Sequence, residues 1–205
     1  MEDYTSQYSG QIEKFLPDLT PSQISSALKL AEELAKQRID LESRAILDSL
    51  LTDFFRHAYF LQKLDEEVQT TGRMSTPSSA FIMLDLDGLK NFNDSFGHLA
   101  GDELLQAIGT AIIKSIRSGD TPGRIGGDEL AVIQRRTTTE GAVAAARRIQ
   151  SAVIQTSQEK FARLGAEPQT VSIGICLIKP GYSAASLRQI SDQALYASKE
   201  AGGNR

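Results

Sequence analysis

Apolar positions recur with helical spacing in the first part of the chain. Residues 20–23 (Thr-Pro-Ser-Gln) have the composition of a helix start, with Thr as the cap, Pro at the first helical position and Gln placed for a capping box. The apolar positions that follow at this spacing are Ile24, Ala27, Leu28, Ala31, Leu34 and Ala35. The periodicity predicts helical structure that continues, with breaks that the pattern does not locate, to about residue 68.

After residue 70 the pattern changes to short apolar runs that alternate with helical stretches. Residues 70–79 are polar and contain Gly and Pro, which indicates a loop. The elements that we expect next are a buried strand at 81–84, a helix through 104–112 that stops near residue 119, two strands within 124–133, a helix over 140–158, a strand over 171–178 and a helix over 184–201. This order predicts an α/β (α+β) fold, with a ferredoxin-like βαββαβ core, a central antiparallel sheet and one appended helix.

Composition and charge argue against several classes of protein. The 205 residues carry a formal net charge of −4 without an evident basic stripe, so we expect no nucleic acid partner. No apolar run approaches the ~18 residues of a membrane span, and residues 1–10 are polar with no signal-peptide core. We therefore expect no membrane span and a cytoplasmic location. The single cysteine, Cys176, lies in an apolar run and is expected to be a buried hydrophobic residue.

Acidic residues follow two of the predicted strands. Asp85 and Asp87 lie at the end of the first strand, and Asp128 and Glu129 follow a glycine pair between the next two. Alternate side chains of a strand share a face, and neighbouring strands would bring the second acidic pair close to the first. Carboxylate oxygens are the ligands that Mg²⁺ prefers, with phosphates and water completing its shell. The alternative, that both clusters are solvated turn residues, stays open on the carboxylates alone.

The glycine pair makes the acidic pattern more specific. Gly126 and Gly127 can adopt positive φ and turn a hairpin tightly, and they let a ligand approach the backbone. A Gly-Gly turn alone is a weak signal because many hairpins contain one. Together with the two acidic clusters it indicates a metal-dependent, phosphate-handling α/β domain.

Four sequence blocks resemble those of the GGDEF-domain diguanylate cyclase family, in the family's order. Residues 124–130 (RIGGDEL) are similar to the GGDEF signature, and residues 85–94 (DLDGLKNFND) are similar to its D-[IL]-D-x-F-K-x-x-N-D block. Residues 96–102 (FGHLAGD) and 194–199 (ALYASK) resemble two further blocks. The resemblance implies a palm-like, nucleotidyl-cyclase-like GGDEF fold over residues 48–205. Residues 1–47 would form an N-terminal helical extension for signalling or dimerisation.

The resemblance also implies a role for each matching residue. Mg²⁺ (or Mn²⁺) would be held by Asp85, the carbonyl of Leu86 and Asp128. Glu129 would bind a second ion or help to deprotonate the attacking hydroxyl, and with Asp85 and Asp128 it would form the catalytic set. The substrate-binding residues would be Asn93 and Asp102 for guanine, Lys90 and Lys199 for the triphosphate, and the backbone of Gly88, Leu89, Gly126 and Gly127 around the phosphates.

Each of these roles has a structural alternative. Asn93 could cap a helix, and Asp102 could be a first-turn acid that complements a helix dipole. The two lysines could be solvated surface charges. His98 is expected to be a structural hydrogen-bonding residue and not a catalyst, because it lies in a predicted turn.

The function that the resemblance implies is the condensation of two GTP molecules into cyclic di-GMP with release of pyrophosphate. Each domain would hold one GTP, so catalysis would need a homodimer. The N-terminal helix would pair the subunits, receive a signal or pack on its own domain. Arg117 and Asp120 match the family's R-x-x-D product-inhibition motif, and Arg148 would complete that site from the partner subunit. The alternative is a local Arg117–Asp120 ion pair at a helix end.

Departures from the family pattern favour a second function. The opening stretch, D-x-L-T-x-L-x-N-R in the family, keeps Asp48, Leu50 and Arg56 but lacks the Thr, the second Leu and the Asn. Gly203 stands where the family has Arg, and Leu130 replaces the last residue of the signature. The alternative is therefore a catalytically weak or inactive GGDEF module that binds GTP or cyclic di-GMP as a sensor. A purely structural dimerisation domain is a third reading.

Overall fold

The computed structural model describes residues 20–72 and 79–205, which belong to two compact units, Met1–Ala45 and Ile46–Arg205. Helix α1 (Pro21–Ile46) accounts for the described part of the first unit. Its start is a capping box, in which the Thr20 N–H donates to Gln23 Oε1 at 2.8 Å and the Gln23 N–H donates to Thr20 Oγ1 at 3.3 Å. The predicted helix start is thus confirmed.

In the described part of the chain, the second unit is built on a five-stranded sheet with the order β1-β3-β4-β2-β5. The strands are β1 (Phe55–Arg56), β2 (Ser79–Asp87), β3 (Thr121–Arg124), β4 (Glu129–Arg135) and β5 (Thr170–Leu177). Strand β2 runs antiparallel to β4 and β5, β3 runs antiparallel to β4, and β1 runs parallel to β3. Strands β3-β4-β2-β5 have the ferredoxin-like order, which confirms the predicted α+β fold.

Helices cover both faces of this sheet. They are α2 (His57–Thr71), α3 (Leu89–Phe96), α4 (His98–Ser115), α5 (Thr139–Phe161) with a 3₁₀ turn (Ala162–Leu164), and α6 (Ala184–Glu200). On one face, Ile82 and Leu84 of β2 belong to a core cluster that α4 and α5 complete. On the other face, Phe81 and Met83 of β2 belong to a cluster with residues of α2 and α6. Because β2 is buried on both faces, its apolar run is continuous and does not alternate.

The single helix expected after the first strand is two helices. Gly97 has a φ of +86° and separates α3 from α4. The second helix ends at Ser115, not near residue 119, because Ile116 takes an extended conformation with ψ of 170°. The break depends on the backbone conformation of Gly97, which the spacing of apolar residues does not reveal.

Two expectations from composition concern the membrane and the cysteine. Within residues 20–72 and 79–205, no helix is long and apolar enough to cross a membrane. Cys176 is buried on β5, as predicted, and is not in a disulfide. The expected absence of a signal-peptide core concerns residues 1–10, which lie outside the described residues, as does most of the loop expected at 70–79.

Candidate functional site

A pocket of about 340 Å³ opens where β2 ends and α3 begins. Gly88 connects the two elements in the left-handed conformation, with φ of +78°, so the strand turns into the helix within one residue. The first N–H groups of α3 have no partner within the helix. The pocket is lined by Asp85, Leu86, Asp87, Gly88, Leu89, Lys90, Asn91, Asp128 and Lys199. Seven of the residues predicted for metal and phosphate binding therefore lie together.

The centre of this pocket is a close ion pair. Lys199 Nζ lies 2.7 Å from Asp85 Oδ1, and the side chains are 45% and 11% exposed, respectively. Burial raises the pKa of the Asp85 carboxyl; the Lys199 ammonium opposes this rise, and the neighbouring carboxylates of Asp128 and Asp87 add to it. The Asp85 carboxylate thus sits where a cation stabilises it, and the ammonium group supplies that charge.

Asp87 shares a face of β2 with Asp85, but its oxygens are already occupied. Thr170 Oγ1 and Ser172 Oγ each donate to the Asp87 carboxylate at 2.7 Å, and the Asn204 N–H donates at 3.2 Å. Asp87 therefore ties β2 to β5 and to the C-terminal residues. Among the described residues, no three or more His, Cys, Asp or Glu side chains converge closely enough to hold a metal ion by themselves.

The glycine pair turns the β3–β4 hairpin differently from the prediction. Neither Gly126 nor Gly127 has a positive φ, so that part of the prediction is wrong. The Arg124 guanidinium holds the turn instead, donating from Nε to the carbonyl of Gly126 at 3.1 Å and from Nη2 to that of Gly127 at 2.7 Å. A Cβ at Gly126 would lie 2.8 Å from Glu129 Oε2, so the end of the flexible Glu129 side chain would have to shift. Glu129 is the register partner of Asp85 across the two strands.

Asp48 connects this hairpin to the turn that precedes β1. Arg124 Nη1 donates to Asp48 Oδ1 at 3.1 Å, and the same oxygen accepts from the N–H groups of Leu50 at 2.9 Å and Leu51 at 2.8 Å. Burial raises the pKa of the Asp48 carboxyl, but these donors outweigh it and hold the pKa below its usual range. Leu51, which departs from the family's Thr, is buried in the core. The altered opening stretch therefore still forms an ordered turn.

The two residues predicted to read guanine lie on α3 and α4. Asn93 is inside α3, whose N-cap is Gly88, so it does not cap that helix. Asp102 is in α4 beyond its first turn, which contains no acid, so the alternative of a first-turn acid is wrong. Asn93 Oδ1 is buried and accepts no hydrogen bond from the described residues. A Cβ at Gly101 would lie 1.7 Å from this oxygen, so glycine is what admits the Asn93 amide. The side chain of Asp102 is exposed. Neither residue lines the pocket at the end of β2.

Arg117, Asp120 and Arg148 meet at the C-terminal end of α4. Asp120 is buried, and its carboxylate accepts from the N–H groups of Arg117 at 2.9 Å and Arg135 at 3.3 Å. Within the described residues the Arg117 guanidinium forms no ion pair with it, so that alternative is wrong. Arg148 Nε donates to the Ser115 carbonyl at 2.6 Å. Arg148 thus lies beside this loop in its own subunit, and its contribution to the site of a partner subunit stays a prediction.

The last residues of the chain fold back along β5. The Arg205 carbonyl accepts from the Ile173 N–H at 2.9 Å and from Ser198 Oγ at 2.5 Å. Gly203 has a φ of +71°, and a Cβ there would lie 3.2 Å from Asp87 Oδ2. Position 203 is therefore one where glycine is favoured by both backbone conformation and space.

Comparisons with known proteins agree with this architecture. Residues 45–205 match the family described as diguanylate cyclase, GGDEF domain, and the chain belongs to that family. The chain is similar to diguanylate cyclase DosC of Escherichia coli (strain K12), with 33% identity over 195 residues that make up 94% of this chain and 40% of that protein. Diguanylate cyclase A of Treponema denticola is 32% identical over 176 residues, which are 82% of this chain and 46% of that protein. The chain thus spans less than half of the length of these two relatives.

Solved structures give the same result for the fold. The crystal structure of the coiled coil and GGDEF domain of DgcB from Caulobacter crescentus, in complex with c-di-GMP, has a TM-score of 0.80 and 27% identity. That match covers 90% of this chain and 96% of that chain. The crystal structure of diguanylate cyclase SiaD in complex with its activator SiaC from Pseudomonas aeruginosa has a TM-score of 0.70 and 25% identity, covering 97% of this chain and 73% of that chain.

Proposed function

We propose that the protein is a diguanylate cyclase, which joins two GTP molecules into cyclic di-GMP and releases two pyrophosphates. The observation that carries the proposal is the pocket at the end of β2, where Asp85 and Asp128 lie with Lys90 and Lys199 beside the start of α3. Carboxylates, ammonium groups and free backbone N–H groups in one pocket suit a metal-bound triphosphate.

Mg²⁺ (or Mn²⁺) fits the residues of this pocket. Lys199 already places a positive charge beside Asp85. Burial and the nearby Asp128 carboxylate both raise the pKa of the Asp85 carboxyl, so the two carboxylates favour a bound cation. We assign the metal to Asp85, the carbonyl of Leu86 and Asp128. When bound, the ion would lower the pKa of the attacking hydroxyl and neutralise charge that develops on the phosphate.

The remaining pocket residues bind and orient the triphosphate. Lys90 and Lys199 contribute positive charge, and the backbone at Gly88 and Leu89 donates to phosphate oxygens. In each of the two steps the 3′ oxygen of one GTP bonds to the α-phosphorus of the other, and the bond to pyrophosphate breaks. Glu129 accepts the 3′ proton or holds a second metal ion.

Guanine is assigned to Asn93 and Asp102. The buried Asn93 Oδ1 lacks a hydrogen-bond partner among the described residues, as expected of a group that awaits a ligand. A carboxylate such as Asp102 accepts from the N1–H and the exocyclic amine of guanine together, whereas adenine has no such pair of donors. The site should therefore select GTP over ATP.

Two features of the assembled protein complete the proposal. One domain holds one GTP, so a homodimer would be needed to bring two nucleotides face to face. Arg117, Arg148 and the loop fixed by Asp120 would bind cyclic di-GMP, and this binding would inhibit the enzyme. The DgcB domain in complex with c-di-GMP supports the part of this proposal that concerns cyclic di-GMP binding.

A second candidate is a GGDEF module that binds GTP or cyclic di-GMP without turning GTP over. The observation that favours it is Gly203, which provides no guanidinium near the phosphates and has a conformation that disfavours other residues. The two candidates are distinguished by incubating purified protein with GTP and Mg²⁺ and separating the products by chromatography. Cyclic di-GMP and pyrophosphate that form only with the metal, and that Asp85→Ala and Asp128→Ala abolish, would support the cyclase. Tight GTP binding without product would identify the sensor.

A further inference from the structure

The Asp85–Lys199 ion pair has a consequence for the order in which ligands bind. We propose that Lys199 forms an ion pair with Asp85 in the nucleotide-free protein and moves to the phosphates when a triphosphate binds. Metal and nucleotide then bind together, and the metal binds poorly without the nucleotide. This inference rests on the proposed function, because it concerns the same metal and the same phosphates.

The geometry of the pair supports this exchange. Lys199 Nζ is 2.7 Å from Asp85 Oδ1, so a metal ion bound to this carboxylate would compete with the ammonium group for it. Asp85 is 8% exposed and fixed in β2. Lys199 is on the last turn of α6, and 45% of its side chain is exposed. The lysine is thus the partner that can move.

One neighbouring carboxylate, that of Asp87, is less available to Lys199 than that of Asp85. Asp87, on the same face of β2, already accepts hydrogen bonds from Thr170, Ser172 and the Asn204 N–H. Triphosphate oxygens in the pocket would give the ammonium group a new partner and free the Asp85 oxygen. The same oxygens would add ligands that the protein lacks, since no three acidic, His or Cys side chains converge in the described residues.

Such an exchange makes the two ligands thermodynamically coupled. If the triphosphate removes Lys199 from Asp85, it raises the affinity for the metal, and the metal must raise the affinity for the triphosphate by the same factor. Part of the coupling between metal and triphosphate binding arises because the nucleotide itself chelates the metal. The part that belongs to Lys199 is removed when Lys199 is replaced.

Mn²⁺ binding followed by electron paramagnetic resonance tests the proposal without relying on turnover. In the absence of nucleotide, Lys199→Met should bind Mn²⁺ about threefold to tenfold more tightly than the wild type, because one charge-assisted contact no longer competes. Lys199→Arg keeps a cation beside Asp85 and should stay close to the wild type. Lys90→Met is the matched control: it removes one lysine from the same pocket, but no carboxylate among the described residues pairs with Lys90, so a change below about twofold is expected.

Two outcomes would overturn the inference. Lys199→Met could bind free Mn²⁺ no more tightly than the wild type, or Lys90→Met could show the same gain, which would make the effect one of net charge alone. A second titration includes a GTP analogue with a methylene bridge between its α and β phosphorus atoms. If the wild type binds no Mn²⁺ even with this analogue, the metal site itself, and with it the proposed function, is wrong. If the wild type binds Mn²⁺ with the analogue, but Lys199→Met leaves the Mn²⁺ affinity without nucleotide unchanged, only the role of Lys199 is wrong.

Discussion

Asp85 is the residue at which stability and the proposed chemistry oppose each other. Burial raises the pKa of its carboxyl even with Lys199 2.7 Å away, so the ionised group destabilises the folded state more than the ion pair stabilises it. The folded pKa lies above the unfolded value, so this cost is absent at low pH and appears as the pH rises through the range between the two.

Asp85→Asn should therefore stabilise the protein at pH 7. We expect its melting temperature, measured by calorimetry without metal, to exceed that of the wild type by about 2 °C, with the difference vanishing near pH 3. Metal-dependent turnover of GTP should be lost in the same variant. A lower melting temperature at pH 7 would show that the contact with Lys199 outweighs the burial of the carboxylate.

Gly101 is the residue that determines whether Asn93 can reach a ligand. In Gly101→Ala the new Cβ would lie 1.7 Å from Asn93 Oδ1, so the amide must move, while the helical backbone accepts alanine. We expect affinity for a GTP analogue to fall by about tenfold in calorimetry, the equivalent of one lost hydrogen bond. Preference over the matching ATP analogue should fall as well.

Gly119→Ala is the control for this substitution, because nothing lies within 4 Å of the Cβ that it adds. It should bind both nucleotides as the wild type does. Unchanged selectivity in Gly101→Ala would remove Asn93 from the guanine site.

At the scale of elements, the contact between Asp48 and Arg124 couples the turn before β1 to the β3–β4 hairpin. Asp48 has a pKa below its usual range, so its contribution to stability is present above the ordinary aspartate pKa and is lost as the pH falls through the folded value. Asp48→Asn should lower the free energy of unfolding at pH 7 by about 1–2 kcal/mol. The difference from the wild type should narrow as the pH falls below the ordinary aspartate pKa and close below the folded value.

Hydrogen exchange locates the effect of this substitution. The amides of Gly126 and Glu129 should exchange faster in Asp48→Asn, because Arg124 then holds the hairpin carbonyls with less support. Amides in the centre of β2, such as that of Met83, serve as the internal reference. Equal exchange at the hairpin in the two proteins would mean that Arg124 fixes the turn without Asp48.

The sequence predicted the elements that carry the site better than the contacts between them. The end of β2 and the acidic hairpin were identified because an apolar run followed by acids is a local signal. Gly88 and Gly97 have positive φ, whereas Gly126 and Gly127 do not. The Arg124 side chain that holds the hairpin carbonyls also contacts Asp48, which the hairpin sequence does not reveal.

Contacts over long separations in sequence were also beyond prediction. Asp48 and Arg124 lie 76 residues apart, and the hydroxyls that occupy Asp87 come from a strand more than 80 residues later. No pattern within either segment indicates its partner. The matches to the family pattern include Asp48, Arg124 and Asp87 without showing which residues they contact.

At the scale of the whole molecule, we expect turnover to depend on assembly. Each domain would hold one GTP, so specific activity should rise with protein concentration at saturating GTP, whereas the number of GTP analogues bound per subunit should not. Helix α1 exposes Leu30, Leu34 and Leu41, which are candidates for contact with a second copy. Replacing Leu30 and Leu34 with Ser should shift sedimentation toward the monomer and lower specific activity. Specific activity that is independent of concentration, in a protein that sediments as a monomer, would contradict this expectation.

Product inhibition is also expected of the whole molecule. It should be non-competitive, because the proposed inhibitory loop and the pocket that contains Asp128 lie at opposite ends of β3. Asp120 precedes this strand, and the acidic hairpin follows it. A ligand at Arg117 therefore does not compete for the metal, and it should lower kcat without raising KM for GTP. Arg117→Ala should relieve the inhibition and remove the heat of cyclic di-GMP binding in calorimetry. Asp120 is unsuitable for this test because its carboxylate holds the loop through two backbone N–H groups.

Arg147→Ala is the matched control for Arg117→Ala. Arg147 is an exposed arginine on α5, adjacent in sequence to Arg148, so its replacement removes the same charge from the neighbouring helix. If the two variants lose the same fraction of cyclic di-GMP affinity, the ligand responds to the general positive charge of this surface. A loss confined to Arg117→Ala indicates a specific contact, since a guanidinium that pairs with a guanine edge or a phosphate does so through directed hydrogen bonds. A wild type that gives no heat with cyclic di-GMP would show that Asp120 serves only to fix the loop between α4 and β3.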